Sequence, residues 1–280
     1  MPSSPMPTMD SHRFGEAGSG MVRSARTSRT LILGGTIEAR LLADALAKRP
    51  GVTVTLSLAG RTANPLPQPV PVRIGGFGGA DGLAAYLRDE RIDALIDATH
   101  PYAATISANA AEAVRATGVP LVALRRKAWT KVDGDSWVEV ATMDEAVRAL
   151  GQAPRRVFLA LGRKELQPFT AAPQHVYLIR SVDPVDPPLA VPHAIYIAAR
   201  GLFSEAEDRA LLKRHRIDVV VAKNSGGSAT YGKIAAARTL QLPVIMLARP
   251  ALPEVSSVAT VEEALVWLDH AIASSTARGV

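Results

Sequence analysis

Thr30-Leu31-Ile32-Leu33-Gly34-Gly35-Thr36-Ile37-Glu38-Ala39-Arg40, TLILGGTIEAR, is a short apolar run that breaks on two glycines and turns at once into a helical pattern. Residues 36–50 continue it, with Leu41, Leu42, Ala45 and Leu46 spaced for one helix face. The same alternation carries on downstream. VTVTLSLAG (52–60), PVRIGGFGG (71–79), DALIDAT (93–99) and VPLVALRR (119–126) read as strands, with ADGLAAYLRDERI (80–92) and HPYAATISANAAEAVRATG (100–118) as helices between them. A second series follows. RVFLALG, HVYLIRS, AIYIAARG, DVVVAKN and PVIMLARP are strand-like, and SEAEDRALLKRHR, TYGKIAAARTLQ and TVEEALVWLDHAIA are helical.

Strand alternating with helix implies parallel sheets wrapped by helices. The expected fold is therefore α/β: two Rossmann-like halves with parallel sheets flanked by helices, and a ligand crevice between them. Residues 1–29, rich in Pro, Ser, Gly and Arg, are expected to be a disordered tail, or an upstream start with Met21 nearer the natural beginning. Residues 30–128 form the first half and 129–280 the second. The last helix, or one strand, is allowed to pack back on the first half.

With 280 residues and 48% hydrophobic content the chain can build both cores, while 5% aromatic content argues against stacking platforms for single-stranded nucleic acid. The absence of cysteine excludes disulfides, thiolate catalysis and zinc–thiolate sites, and fits a cytoplasmic location. No apolar run is long enough to span a membrane. His100, His175, His193 and His215 lack close metal-ligand spacing, so no metal site is expected.

In open parallel sheets, ligands bind beyond the carboxyl ends of the strands. In the second half those ends carry Arg163 and Lys164, Arg180, Arg200, Lys223 and Arg249, within a formal net charge of +6. Such a convergence suits a large polyanion. The alternative is a set of strand-end side chains reaching separately into water.

In the first half, Gly34, Gly35 and Thr36 suit a pyrophosphate at a helix N-terminus, although G-x-G-x-x-G is incomplete and a plain tight turn has the same sequence. The second strand ends without the acid that holds ribose hydroxyls, and Arg61 follows it. That combination suits the 2′-phosphate of NADP. Arg61 facing an acidic substrate or solvent is the alternative.

AKNSGGSATYGKI (222–234) imitates a P-loop, with Gly227, Gly232 and Lys233 at the right spacing. Ile234 stands where the magnesium-binding hydroxyl belongs, which argues against ATPase chemistry. Tyr231 and Lys233 lie two residues apart on a helix and face different ways, against a short-chain dehydrogenase pair. Ser107 and Ser225 lack a nucleophile-elbow context. Lys223, Asn224, Ser225, Gly226, Gly227 and Lys233 remain as a metal-free anion cradle built on consecutive backbone N–H groups.

GGTIEAR, DATHPYA, LGRKEL, AKNSGG and KIAAARTLQLPVIMLARP, in this order from Thr30 onward, resemble the precorrin-6A reductase family. The resemblance implies an NADPH-dependent enzyme of cobalamin biosynthesis that reduces one ring double bond of precorrin-6A to precorrin-6B. Its partner is a polyanionic tetrapyrrole rather than nucleic acid or a membrane. NADPH is then expected along Gly34, Gly35, Thr36, Arg61, Thr99, His100 and Tyr102, with Pro101 early in the following helix. The macrocycle's carboxylates are expected on the second-half residues named above. His100, Tyr102 and water stand as proton donors. Rival functions are an NADPH reductase of another polycarboxylate, a non-catalytic nucleotide-responsive module, and a methyltransferase that would bind S-adenosylmethionine at the glycine turn.

Overall fold

A computed structural model describes residues 27–60 and 66–278. The expected tail lies outside the described residues up to position 26, and so do Arg61 and residues 62–65.

The first half runs β1 (Ser28–Leu33), α1 (Ile37–Ala47), β2 (Val52–Leu58), β3 (Val72–Ile74), α2 (Gly79–Asp89), β4 (Ala94–Asp97), α3 (Ala104–Thr117) and β5 (Leu121–Leu124). Next come β6 (Trp137–Val140), α4 (Met143–Leu150), β7 (Arg156–Ala160), β8 (Val176–Ser181), β9 (Ala194–Ala198) and α5 (Glu205–Arg214). The chain continues with β10 (Val219–Lys223), α6 (Gly232–Thr239), β11 (Val244–Leu247), β12 (Ser257–Val258) and α7 (Val261–Arg278).

Two six-stranded sheets result, ordered β12-β5-β4-β1-β2-β3 and β6-β11-β10-β7-β8-β9. Neighbouring strands pair in parallel throughout both. Each order reverses direction at its centre, between β1 and β4 in one sheet and between β7 and β10 in the other. Loops leaving those strands diverge and open the crevices in which such folds bind ligands.

β1 shows why the sheets are buried on both faces. Leu31 and Ile32 are both 0% exposed, and they point to opposite sides. Ile32 meets Leu42 and Leu46 of α1 with Ala264 and Leu268 of α7. Leu31 meets Leu83 and Leu87 of α2 with Ala110 of α3. In the second half, Phe158 packs on Leu212 and Ile234 of α5 and α6, while Leu159 packs on Leu150 and Phe169.

The buried stripe of α1 is Ala39, Leu42, Ala43 and Leu46, and Leu41 is 55% exposed. This corrects the expected face by about one residue. The stripe follows the i, i+3, i+4, i+7 spacing.

Strands keep to the division at residue 128 except at the C-terminal end of the chain. The strand after β5 does not join the first sheet: β6 pairs with β11. The strand after β11 does the reverse, since β12 pairs with β5, and α7 then packs on the first core. The first sheet thus takes its sixth strand from the second half's stretch of chain, whereas all six strands of the second sheet come from its own. β6 and β12 carry only WVEV and SV, too short to show a strand period in sequence.

Candidate active site

The turn between β1 and α1 is shaped by two different glycine requirements. A Cβ on Gly34 would stand 2.6 Å from Leu56 Cδ1, so a side chain there would have to displace the buried Leu56 of β2. Gly35 has φ +117 with open space where its Cβ would be. The backbone is thus exposed at the helix entrance. Thr36 caps α1 by accepting from the Ala39 N–H at 3.1 Å, and its hydroxyl donates to the Ala98 carbonyl at 2.8 Å. That second bond fastens the β1 turn to the end of β4, across the point where the strand order reverses.

Asp97, 4% exposed at the end of β4, fixes the other wall. It accepts from the Thr99 N–H at 3.1 Å, the Thr99 hydroxyl at 2.6 Å and the Ser107 hydroxyl at 2.6 Å. A buried carboxylate with three donors is a satisfied anchor. Thr36, Thr99, His100, Ser107, Arg125 and Arg126 line the cavity between these turns. Of the expected first-half residues, Thr36, Thr99 and His100 are therefore brought together, next to the Gly34–Gly35 turn, while Arg61 lies outside the described residues. Pro101 falls in the turn before α3, whose first residue is Ala104, and not inside the helix. His100 Nδ1 accepts from the Tyr102 N–H at 3.3 Å.

Tyr102 points elsewhere. Its hydroxyl donates to the Leu247 carbonyl and accepts from the Asn224 N–H at 2.8 Å, both on second-half strand ends. Burial pushes its pKa up to about 12. The hydroxyl is a strut between the halves and is turned away from Thr99 and His100. Tyr102→Phe should lose about 1–3 kcal/mol of stability with turnover retained, read from urea unfolding beside steady-state kinetics. Collapse of turnover at unchanged stability would return the proton donor to Tyr102.

The second-half basic residues divide into two groups. Arg163 and Lys164 are exposed in the turn after β7, and Arg200 follows β9 with Asp183 at 3.9 Å. Lys223 is ion-paired with Glu165 at 2.9 Å and lies over the Tyr102 ring. The other three correct the expectation. Arg180 is buried, paired with Asp208 and stacked 3.8 Å from the Phe203 centroid. Lys233 is buried, donates to the Thr230 carbonyl and faces the Trp129 ring. Arg249 donates to the carbonyls of Asn224, Arg126 and Ser225. These three cations are internal ties.

Two N–H groups of the expected anion cradle are already engaged. The Ser225 N–H is spent on the Lys223 carbonyl at 2.7 Å, and the Asn224 N–H on Leu247 and Tyr102. The Asn224 amide clasps Trp129, accepting from its N–H at 2.8 Å and donating to its carbonyl at 2.9 Å. Gly226 has φ +68 and packs directly against the Lys127 carbonyl and Arg249. The loop's first use is to join the halves.

Among the described residues no group of three His, Asp or Glu side chains could hold a metal ion, and no helix is long and apolar enough to cross a membrane.

A family model described as precorrin-6x reductase CbiJ/CobK matches residues 29–269. A precorrin-6A reductase of a Sinorhizobium species is 58% identical over 245 residues, covering 88% of this chain and 94% of that one. The precorrin-6A reductase of Rhodobacter capsulatus is 50% identical over 254 residues, covering 90% and 100%. A solved structure named CobK precorrin-6A reductase superposes with a TM-score of 0.84 at 50% identity, covering 87% of this chain and 97% of that one. The chain belongs to the precorrin-6x reductase CbiJ/CobK family.

Within this member of the precorrin-6x reductases, Asp97, Glu38, Arg126, Trp129, Asp208 and Glu165 shape the site without having stood out in the sequence. Asp97 carried a signal, an acid at the end of an apolar strand, but that is a common position. The remaining pairs span long separations, such as Glu38 with Arg126 and Arg180 with Asp208. No short motif encodes such a meeting.

Proposed function

We propose that precorrin-6A reduction, the activity of the chain's relatives, draws on NADPH held along the first sheet's carboxyl edge. Bound there, the dinucleotide supplies the hydride that saturates one ring double bond and yields precorrin-6B in cobalamin biosynthesis. The observation that carries this reading is the turn at Gly34–Thr36. It presents bare backbone at a helix N-terminus, where Gly35 has no neighbour within 4 Å of a Cβ, beside the strand-order reversal. Thr99 and His100 close the nicotinamide end of the same cavity, with Asp97 holding the Thr99 backbone and hydroxyl. His100 or a water delivers the proton to the neighbouring ring atom.

The macrocycle lies between the halves, its carboxylates on Arg163, Lys164, Arg200 and Lys223. Arg163, Lys164 and Arg200 are exposed, whereas Lys223 needs Glu165 to yield its partner. The protein's contribution is positioning and charge compensation.

Mixing the protein with NADPH and precorrin-6A should deplete nicotinamide absorbance one-for-one with precorrin-6B formed. Binding without oxidation would leave a non-catalytic module. Arg61→Ala should weaken NADPH by about 1–3 kcal/mol with NADH little changed, because a charge-assisted contact to the 2′-phosphate is lost. Equal weakening of both would remove Arg61 from the cofactor site.

A further inference from the structure

Arg126 leaves the end of β5, and its guanidinium reaches in two directions. Nη1 meets both carboxylate oxygens of Glu38 at 3.1 Å, in the first turn of α1. Nε donates to the Ser225 carbonyl at 2.8 Å, in the loop that follows β10. Arg249 donates to that same carbonyl at 3.1 Å and to the Arg126 carbonyl at 2.8 Å. The Arg126 side chain is only 15% exposed. Gly227 completes the contact: a Cβ there would stand 3.1 Å from Arg126 Cδ and 3.5 Å from Glu38 Oε1. One planar fork therefore ties the helix that begins at the glycine turn to the loop of the opposite half.

We propose that Arg126 is a positioning residue that couples the two ligand sites, so that dinucleotide and macrocycle bind cooperatively. The inference rests on the cofactor and substrate reading given above. Its physical basis is a competition at the start of α1. The helix field favours anions there, and Glu38 already supplies one. A diphosphate at Gly34–Thr36 brings further negative charge to the same helix end. Arg126 compensates Glu38, so the helix end accepts the phosphates. Because the same rigid fork holds Ser225, any shift of Glu38 on cofactor binding is passed to the substrate-side loop. The coupling is reciprocal, as linkage requires.

The test uses the full chain with NADP+ and precorrin-6A, a pair that binds without turnover. The dissociation constant for NADP+ is measured with and without saturating precorrin-6A. In the wild type the affinity should rise about 5–150-fold, the usual span of site-to-site coupling. Arg126→Lys should lose most of that ratio despite keeping the charge, because an ammonium cannot make the fork. Arg126→Ala should lose it all. Glu38→Gln breaks the same bridge from the first half and should lose it too, which keeps the test open if Arg126→Ala fails to fold. A wild-type ratio near one, or a full ratio in Arg126→Lys or Glu38→Gln, overturns the coupling. NADPH left unoxidised by wild type and precorrin-6A instead overturns the function itself, and the coupling with it.

Discussion

Asp208→Ala should lower stability by about 3–5 kcal/mol, seen as a large drop in the urea midpoint, because it strands a buried cation. Asp208 is 1% exposed, and the Arg180 side chain beside it is 8% exposed. The guanidinium is sandwiched between Phe203 at 3.8 Å and Phe158 at 5.0 Å. With the carboxylate gone, neither ring can replace it. The same reasoning predicts that Arg180→Met with Asp208→Leu recovers most of the loss, since an apolar pair of similar size needs no desolvation. A loss under about 1 kcal/mol in Asp208→Ala would mean that water reaches Arg180, as at an exposed pair. Arg180 would then be open to a substrate carboxylate after all.

Lys233→Met should change the pH dependence of stability rather than only its level. Burial, reinforced by Arg180, lowers the Lys233 pKa from 10.5 to about 7. Between those values the unfolded chain holds a proton that the folded chain has released. Stability therefore rises with pH through that window, by up to about 1.4 kcal/mol per unit from this group alone. The methionine variant lacks that slope. It should exceed the wild type in stability near pH 7 and lose the advantage as pH climbs. The comparison belongs between pH 7 and about 9.5, below the range where Tyr102 and Tyr177, both pushed up to about 12, begin to matter. A gap between variant and wild type that stays constant with pH would show that the folded protein keeps Lys233 charged.

Both residues show where sequence stops being a guide. Arg180 and Lys233 follow apolar strands or glycine loops, the pattern that also marks Arg163 and Lys164. Local pattern fixes the end of the sheet at which a side chain emerges. Whether it then meets water depends on what arrives from elsewhere, here Asp208 on α5 and Trp129 in the linker. The glycine turn at Gly34–Thr36 was legible for the opposite reason. Its chemistry lies in backbone conformation and a cap three residues away, and neighbouring residues determine both. Parallel α/β layering was legible too, because periods of two and 3.6 are local properties. The identity of each sheet's sixth strand was not, because β6 and β12 both owe their places to partners more than a hundred residues away in the chain.

The return of β12 and α7 to the first half governs how the chain is made. During synthesis β1 to β5 emerge first, yet the edge of β5 and the apolar surface around Val122 and Leu124 stay uncovered. Their cover, β12 and α7, leaves the ribosome only after every strand of the second sheet. The nascent first half thus waits with an open edge, a hazard for pairing with other chains. Nor can a cut near residue 128 release two self-sufficient pieces, because the first would lack β12 and α7 and the second would carry them without the sheet they cover.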